Sequence, residues 1–196
     1  MTELLFRDDP YAKSCEATIT AINERGGIEL DRTVFYPTGG GQPGDTGSLR
    51  LADGGEITIA TTVKGEGADD VVHVPAEGQN LPAVGTAVTA SIDWDVRHRL
   101  MRIHTCLHLL SSVVEYPVTG GQISDGKGRL DFDMPEMTVE KEAITTRLNE
   151  LIQEAHPVST DWISDEDLAA QPDLVKTMSV KPPMGQGRVR LIDVDG

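Results

Sequence analysis

With 196 residues, of which 38% are hydrophobic and 25% charged, the chain can form one large domain or two small ones around a real core. No apolar run approaches the roughly 20 residues that cross a bilayer, and the opening MTELLFRDDPYAKSC carries acids where a signal peptide carries bases. Two cysteines make no disulfide framework, so the cytoplasm is the expected compartment. A formal net charge of −15 argues against phosphate binding over the whole surface, because displacing counterions requires Lys and Arg. Local basic stretches remain, at Arg97, His98, Arg99 and Arg102 and again at Lys181, Arg188 and Arg190. They read equally well as solvated faces of an acidic protein.

Along the chain, short apolar stretches at 16–22, 27–35, 56–63, 70–74 and 87–92 alternate with glycine and proline clusters. That pattern predicts many short strands in a small barrel or sandwich. From residue 93 the period becomes helical. Val96, Leu100, Ile103, Leu107, Leu110 and Val114 recur at alternating steps of four and three and line one face. Ser91 or Asp93 can cap this helix, and Pro117 with Gly120 and Gly121 should stop it. A strand is predicted at 129–134, then a helix at 138–155 with Ile144, Leu148, Leu151 and Ile152 turned inward. Ser164, followed by Asp165, Glu166 and Asp167, reads as a capped short helix with acids at its positive end. A last strand is expected at 188–194. The fold class is α+β: a small β-barrel-like domain over 1–92, then an α+β domain over 93–196.

His104 and His108 stand four apart on the predicted helix. Their directions differ by about 40°, one turn above the other, so both imidazoles can reach one ion, and imidazole is a common zinc ligand. Cys106 points about 160° away from either and fills space as a small apolar residue. Cys15 is too distant in sequence to place. H-x-x-x-H is a weak motif alone and suits two histidines at a core boundary equally well. No Glu sits inside it, so it is not the metalloprotease pattern.

The segment FYPTGGGQPGDTG, from Phe35 to Gly47, is dense in glycine, which allows close backbone approach and can expose amide hydrogens to a polar group. It is not a P-loop, since no Gly-Lys-Ser/Thr ends it; a structural hairpin loop is the plain alternative. Together with Arg97-His98-Arg99-Leu100-Met101-Arg102-Ile103 leading into HTCLHLL, this segment resembles the editing domain of alanyl-tRNA synthetases. It is more similar still to the free-standing alanyl-tRNA editing proteins of AlaX type. Gly121-Gln122-Ile123-Ser124, Leu130-Asp131-Phe132-Asp133 and Met178-Ser179-Val180-Lys181-Pro182-Pro183 extend the resemblance, in order, along nearly the whole chain.

The resemblance implies a barrel-like domain bearing the glycine motif and an α+β domain whose helix holds zinc through His104 and His108. In that family a later C-x-x-x-H completes the metal site. This sequence contains none, and neither His73 nor His156 has the context to replace it. The expectation is therefore a truncated form of a longer chain with weak or absent zinc binding. The implied reaction is hydrolysis of the ester joining serine or glycine wrongly to tRNA(Ala). A zinc with an open position would polarise the carbonyl or activate water. A site that hydrogen-bonds the serine hydroxyl would reject alanine. By resemblance, Gln42 and Gln122 are the candidate catalytic groups, with Gly39, Gly40, Gly41, Thr105 and Ser124 binding substrate. Arg97, Arg102, Lys181 and Arg190 are candidates for phosphate, and Arg97, about 20° from each histidine on the helix, is the foremost. A tRNA-binding module without catalysis and an unrelated metal-dependent ester hydrolase are the competing functions. No membrane partner is expected.

Overall fold

Short runs of alternating apolar and polar residues build the first half of the chain from strands. The computed structural model describes residues 2–67, 69–136, 139–171, 174 and 187–195. It begins with β1 (Glu3–Leu4), α1 (Leu5–Asp8), β2 (Ser14–Ile22), β3 (Ile28–Leu30), β4 (Arg32–Thr33), β5 (Gly47–Leu51), β6 (Glu56–Lys64), β7 (Val71–Pro75) and β8 (Ala87–Ile92). Of the barrel and the sandwich, the chain forms the barrel: β2, β3, β7, β6, β5 and β8 close in that order. Closure leaves no strand edge unpaired within it.

Alternation decides which side chains enter the barrel. Ala17 and Ile19 of β2, Leu49 of β5, and Val88, Ala90 and Ile92 of β8 point inward beside Ile28, Leu30, Val34 and Phe35. In β6 the buried residues are Ile57 and Ile59, then Thr62, because a register shift against β7 between Ile59 and Thr61 changes the phase. His73 of β7 is fully buried. Its Nδ1–H donates to the Ile28 carbonyl at 3.0 Å, and Nε2 accepts from the Thr33 hydroxyl at 2.8 Å. A carbonyl can only accept, so this pattern fixes the neutral tautomer.

After the barrel come α2 (Trp94–Val113), β9 (Val118–Ser124), β10 (Lys127–Phe132), α3 (Lys141–Glu154), β11 (Val158–Ser164), α4 (Asp165–Ala170) and β12 (Arg188–Val194). The described residues thus form a mixed α/β chain with four helices and one closed barrel. Asp93, rather than Ser91, caps α2, accepting from the Val96 N–H at 3.3 Å. Ser164 caps α4, accepting from the Asp167 N–H at 3.0 Å. None of the described helices is long and apolar enough to cross a membrane.

Two expectations need correction. Gly120 and Gly121 do not stop α2 but lie inside β9, where Leu130 and Asp131 of β10 press against them. Small residues there let the paired strand's side chains approach. Ile152 is 48% exposed rather than turned inward; Leu151 is the buried residue of α3. By contact density the chain divides into two units. One comprises Met1–Arg102 with Ile123–Lys127, the other Ile103–Gln122 with Gly128–Gly196.

Candidate functional site

In the barrel unit, the glycine-rich segment is a tight turn with a buried foundation. Gly39 and Gln42 exchange two backbone hydrogen bonds of 3.0 Å each around Gly40 and Gly41. Those two glycines have φ of 59° and 77°, the left-handed pair that a two-residue hairpin loop requires. The Gly41 carbonyl accepts from the Ile123 N–H at 2.8 Å. Behind the turn, Gly44 packs so closely that a Cβ would stand 1.8 Å from the Thr62 carbonyl oxygen. Gly44→Ala should therefore destabilise the protein by about 1–3 kcal/mol, read as a lowered urea midpoint.

Asp45, which sequence reasoning missed, anchors this segment. It is 2% exposed and forms an ion pair with Arg97, itself 3% exposed, in the first turns of α2. Arg97 Nε donates to both carboxylate oxygens at 2.8 and 2.9 Å, and its Nη2 to Asp45 Oδ2 and to the Val34 carbonyl at 2.7 Å. This corrects the expectation that Arg97 meets phosphate, since its guanidinium is buried and engaged. A buried carboxylate needs a cation. An aspartate within the glycine-rich segment and an arginine in the first turns of α2 were the available signal.

In the second unit, His104 and His108 stack on α2 with ring centroids 5.0 Å apart and planes 14° from parallel. Two imidazoles one helical turn apart on the same side of α2 have the spacing from which a pair of zinc ligands can be drawn. Burial, and then the neighbouring His108, lowers the pKa of His104 to about 4, so its imidazole is uncharged at neutral pH. Burial pushes the Cys106 thiol up, away from the thiolate a metal would need. Among the described residues no third His, Cys, Asp or Glu gathers with the pair. Zinc takes three or four protein ligands. The histidines thus fit two positions of a zinc site and do not constitute one.

Gln42 is buried, at 5% exposure, and belongs to the foundation of the turn rather than its surface. Gln122 and Ser124 are exposed on β9, and the Ser124 hydroxyl donates to the Lys127 carbonyl at 3.4 Å. Thr105 is half-buried and Arg102 exposed on α2. Arg190 stands opposite Trp162 in the antiparallel β11–β12 pair. Lys181 and the 178–183 segment lie outside the described residues. His73 has both nitrogens engaged, and His156 pairs with Glu154 at 2.6 Å. Lys64, also missed, ends β6 with its Cε 3.4 Å from where a Gly39 Cβ would stand.

A barrel carrying a glycine turn, followed by a helix with paired histidines, has relatives among the translation enzymes. The family model for tRNA synthetases class II (A) matches residues 9–96. Alanyl-tRNA editing protein AlaX-M of Methanosarcina mazei is 36% identical over 206 aligned residues, covering 100% of this chain and 81% of that protein. The AlaX-M protein of Methanosarcina acetivorans is 34% identical, with 100% and 83% covered. Alanine–tRNA ligase of Aeropyrum pernix is 32% identical over 85% of this chain and 19% of its own length. The chain belongs to the alanyl-tRNA editing protein family of AlaX type.

Proposed function

We propose that this protein is a trans-editing hydrolase that removes serine or glycine from mischarged tRNA(Ala) at a zinc site. The observation that carries the reading is similarity along the entire chain to proteins named alanyl-tRNA editing protein AlaX-M. The stacked His104 and His108 support it as two of the metal ligands, the others coming from donors beyond that pair. When bound, zinc supplies polarisation of the ester carbonyl and a water of lowered pKa.

The chain's own groups would bind and orient. Gly39, Gly40 and Gly41 let the aminoacyl end approach the backbone. Gln122, Ser124 and Thr105 offer polar contacts to the serine hydroxyl, and a site built to pair that hydroxyl rejects alanine. Gln42 would contribute from beneath the turn. Arg102, Arg190 and Lys64 supply exposed or half-buried positive charge for phosphates on a protein of net charge −15. Lys64→Ala should weaken tRNA binding and reduce the slope of log affinity against log salt by about one. A filter-binding salt titration measures it, and an unchanged slope removes Lys64 from the interface.

Release of serine from Ser-tRNA(Ala) with zinc supplied, compared between the protein and a His104→Ala/His108→Ala variant, tests the assignment. The variant should bind tRNA and release no serine beyond spontaneous hydrolysis; equal release by both would end the metal-ligand reading. The lack of a third donor beside the histidines, among the described residues, favours a second reading. That is a tRNA-binding module without hydrolysis, which salt-sensitive binding with no release by either protein would select.

A further inference from the structure

The buried pair beneath the glycine turn is more than a stabilising contact. We infer that Arg97 is a positioning residue which, through Asp45 and Tyr36, sets the turn at 39–42 in the register that receives the aminoacyl end. This rests on the reading above that the turn meets that end.

A continuous line of hydrogen bonds runs from α2 to the turn. Arg97 grips both oxygens of Asp45 through Nε and adds a bond to Oδ2 through Nη2. Its remaining donors reach the Val34 carbonyl at 2.7 Å and the Pro10 carbonyl at 3.4 Å, so the fork is fixed on three segments at once. Asp45 Oδ2 accepts from the Tyr36 N–H at 2.7 Å, and the Asp45 N–H donates to the Tyr36 carbonyl at 3.0 Å. The Tyr36 hydroxyl donates to the Gly39 carbonyl at 3.1 Å, which is the turn itself. On the outgoing side, the Asp45 carbonyl accepts from the Thr62 hydroxyl at 2.9 Å.

Glycines explain why such an anchor is needed. Gly40 and Gly41 reach the turn's dihedrals easily and leave them as easily, so the loop is held by what lies under it. A buried ion pair adds little net stability over a well-packed apolar pair, but its direction is specific. The planar guanidinium fork supplies that direction, and a lysine ammonium would not.

The test uses the whole protein with Arg97→Lys and Tyr36→Phe. The second variant removes the hydroxyl link to Gly39 and leaves the buried charges paired, so it carries the test even where Arg97→Lys does not fold. Two quantities are read: the backbone amide resonances of Gly39, Gly40 and Gly41, and affinity for an acceptor-stem microhelix of tRNA(Ala) carrying amide-linked serine. With cooperative melting retained, Arg97→Lys should shift those resonances and weaken the serylated microhelix about tenfold, while the uncharged microhelix binds as before. Tyr36→Phe should shift the same amides with a smaller loss. Unmoved glycine amides in the folded variants, or moved amides with undiminished affinity for the serylated microhelix, would overturn the inference. If the unaltered protein holds serylated and uncharged microhelices equally, the proposed function fails instead, and the amide shifts alone decide whether Arg97 positions the turn.

Discussion

Arg97→Met should lower the free energy of unfolding by about 3–5 kcal/mol, because it leaves the Asp45 carboxylate buried without a cation. Asp45 is 1% exposed in its side chain, so water cannot take over the role of the guanidinium. The carboxylate would keep the Tyr36 N–H as donor, which compensates only part of the loss. The Val34 carbonyl, which accepts from Arg97 at 2.7 Å, loses a partner as well. Arg97→Met combined with Asp45→Leu should be less damaging than Arg97→Met alone, since an apolar pair of similar volume strands no charge. Urea unfolding of the two single variants and the double one, treated as a thermodynamic cycle, measures the coupling. A cost below about 1 kcal/mol for Arg97→Met would mean that the carboxylate finds solvent.

Acidification should remove about 3 kcal/mol of stability through His73 alone, between pH 6.5 and 4. Burial lowers its pKa from 6.5 to about 4, offset slightly by the bond to the Ile28 carbonyl. In that window the unfolded chain binds a proton that the folded protein refuses, so stability rises with pH. The contribution is complete above pH 6.5 and lost as pH falls through 4. His104, lowered to about 4 by burial and by His108, acts with the same sign. Chemical denaturation of the protein and of His73→Leu across this range separates the two histidines. The variant should be less stable at pH 7 and should have a shallower pH dependence. A slope unchanged by the substitution would show that His73 is not held neutral in the barrel.

Much of this architecture was legible because it depends on local periods. The short apolar stretches at 16–22 and 87–92, bounded by turn residues, became β2 and β8, and the four-and-three spacing from Val96 became α2. Ser164 capping α4 followed from a side-chain oxygen placed before a row of acids. Elements with weak local signals were missed. Strand β5 starts within the glycine segment, and β9 contains Gly120 and Gly121, residues that otherwise favour turns. Ile152 failed because α3 buries a narrower stripe than its apolar residues suggest, leaving Ile144 and Leu148 half-buried.

The site divides along the same line. The histidine pair is an i, i+4 feature of one helix, so its stacking could be derived from spacing. The buried ion pair joins residues 52 apart in sequence, and only the closed barrel brings them together. On a helical wheel Arg97 shares a side with His104 and His108, which suggested a phosphate contact. The wheel gives direction around the axis and not depth. The burial of Gln42, at 5% exposure, was likewise not legible, because it depends on the turn packing against β6 and Asp45.

The proposed clearing of wrong amino acids from tRNA(Ala) is tested most directly by comparing two esters on one tRNA. Zinc-supplied protein is mixed with Ser-tRNA(Ala) or Ala-tRNA(Ala), and loss of each amino acid is followed against spontaneous hydrolysis. The proposed function predicts release of serine above the spontaneous rate with alanine left in place, since a site that pairs the serine hydroxyl would reject alanine. Equal rates for the two esters, or no acceleration of either, would contradict it.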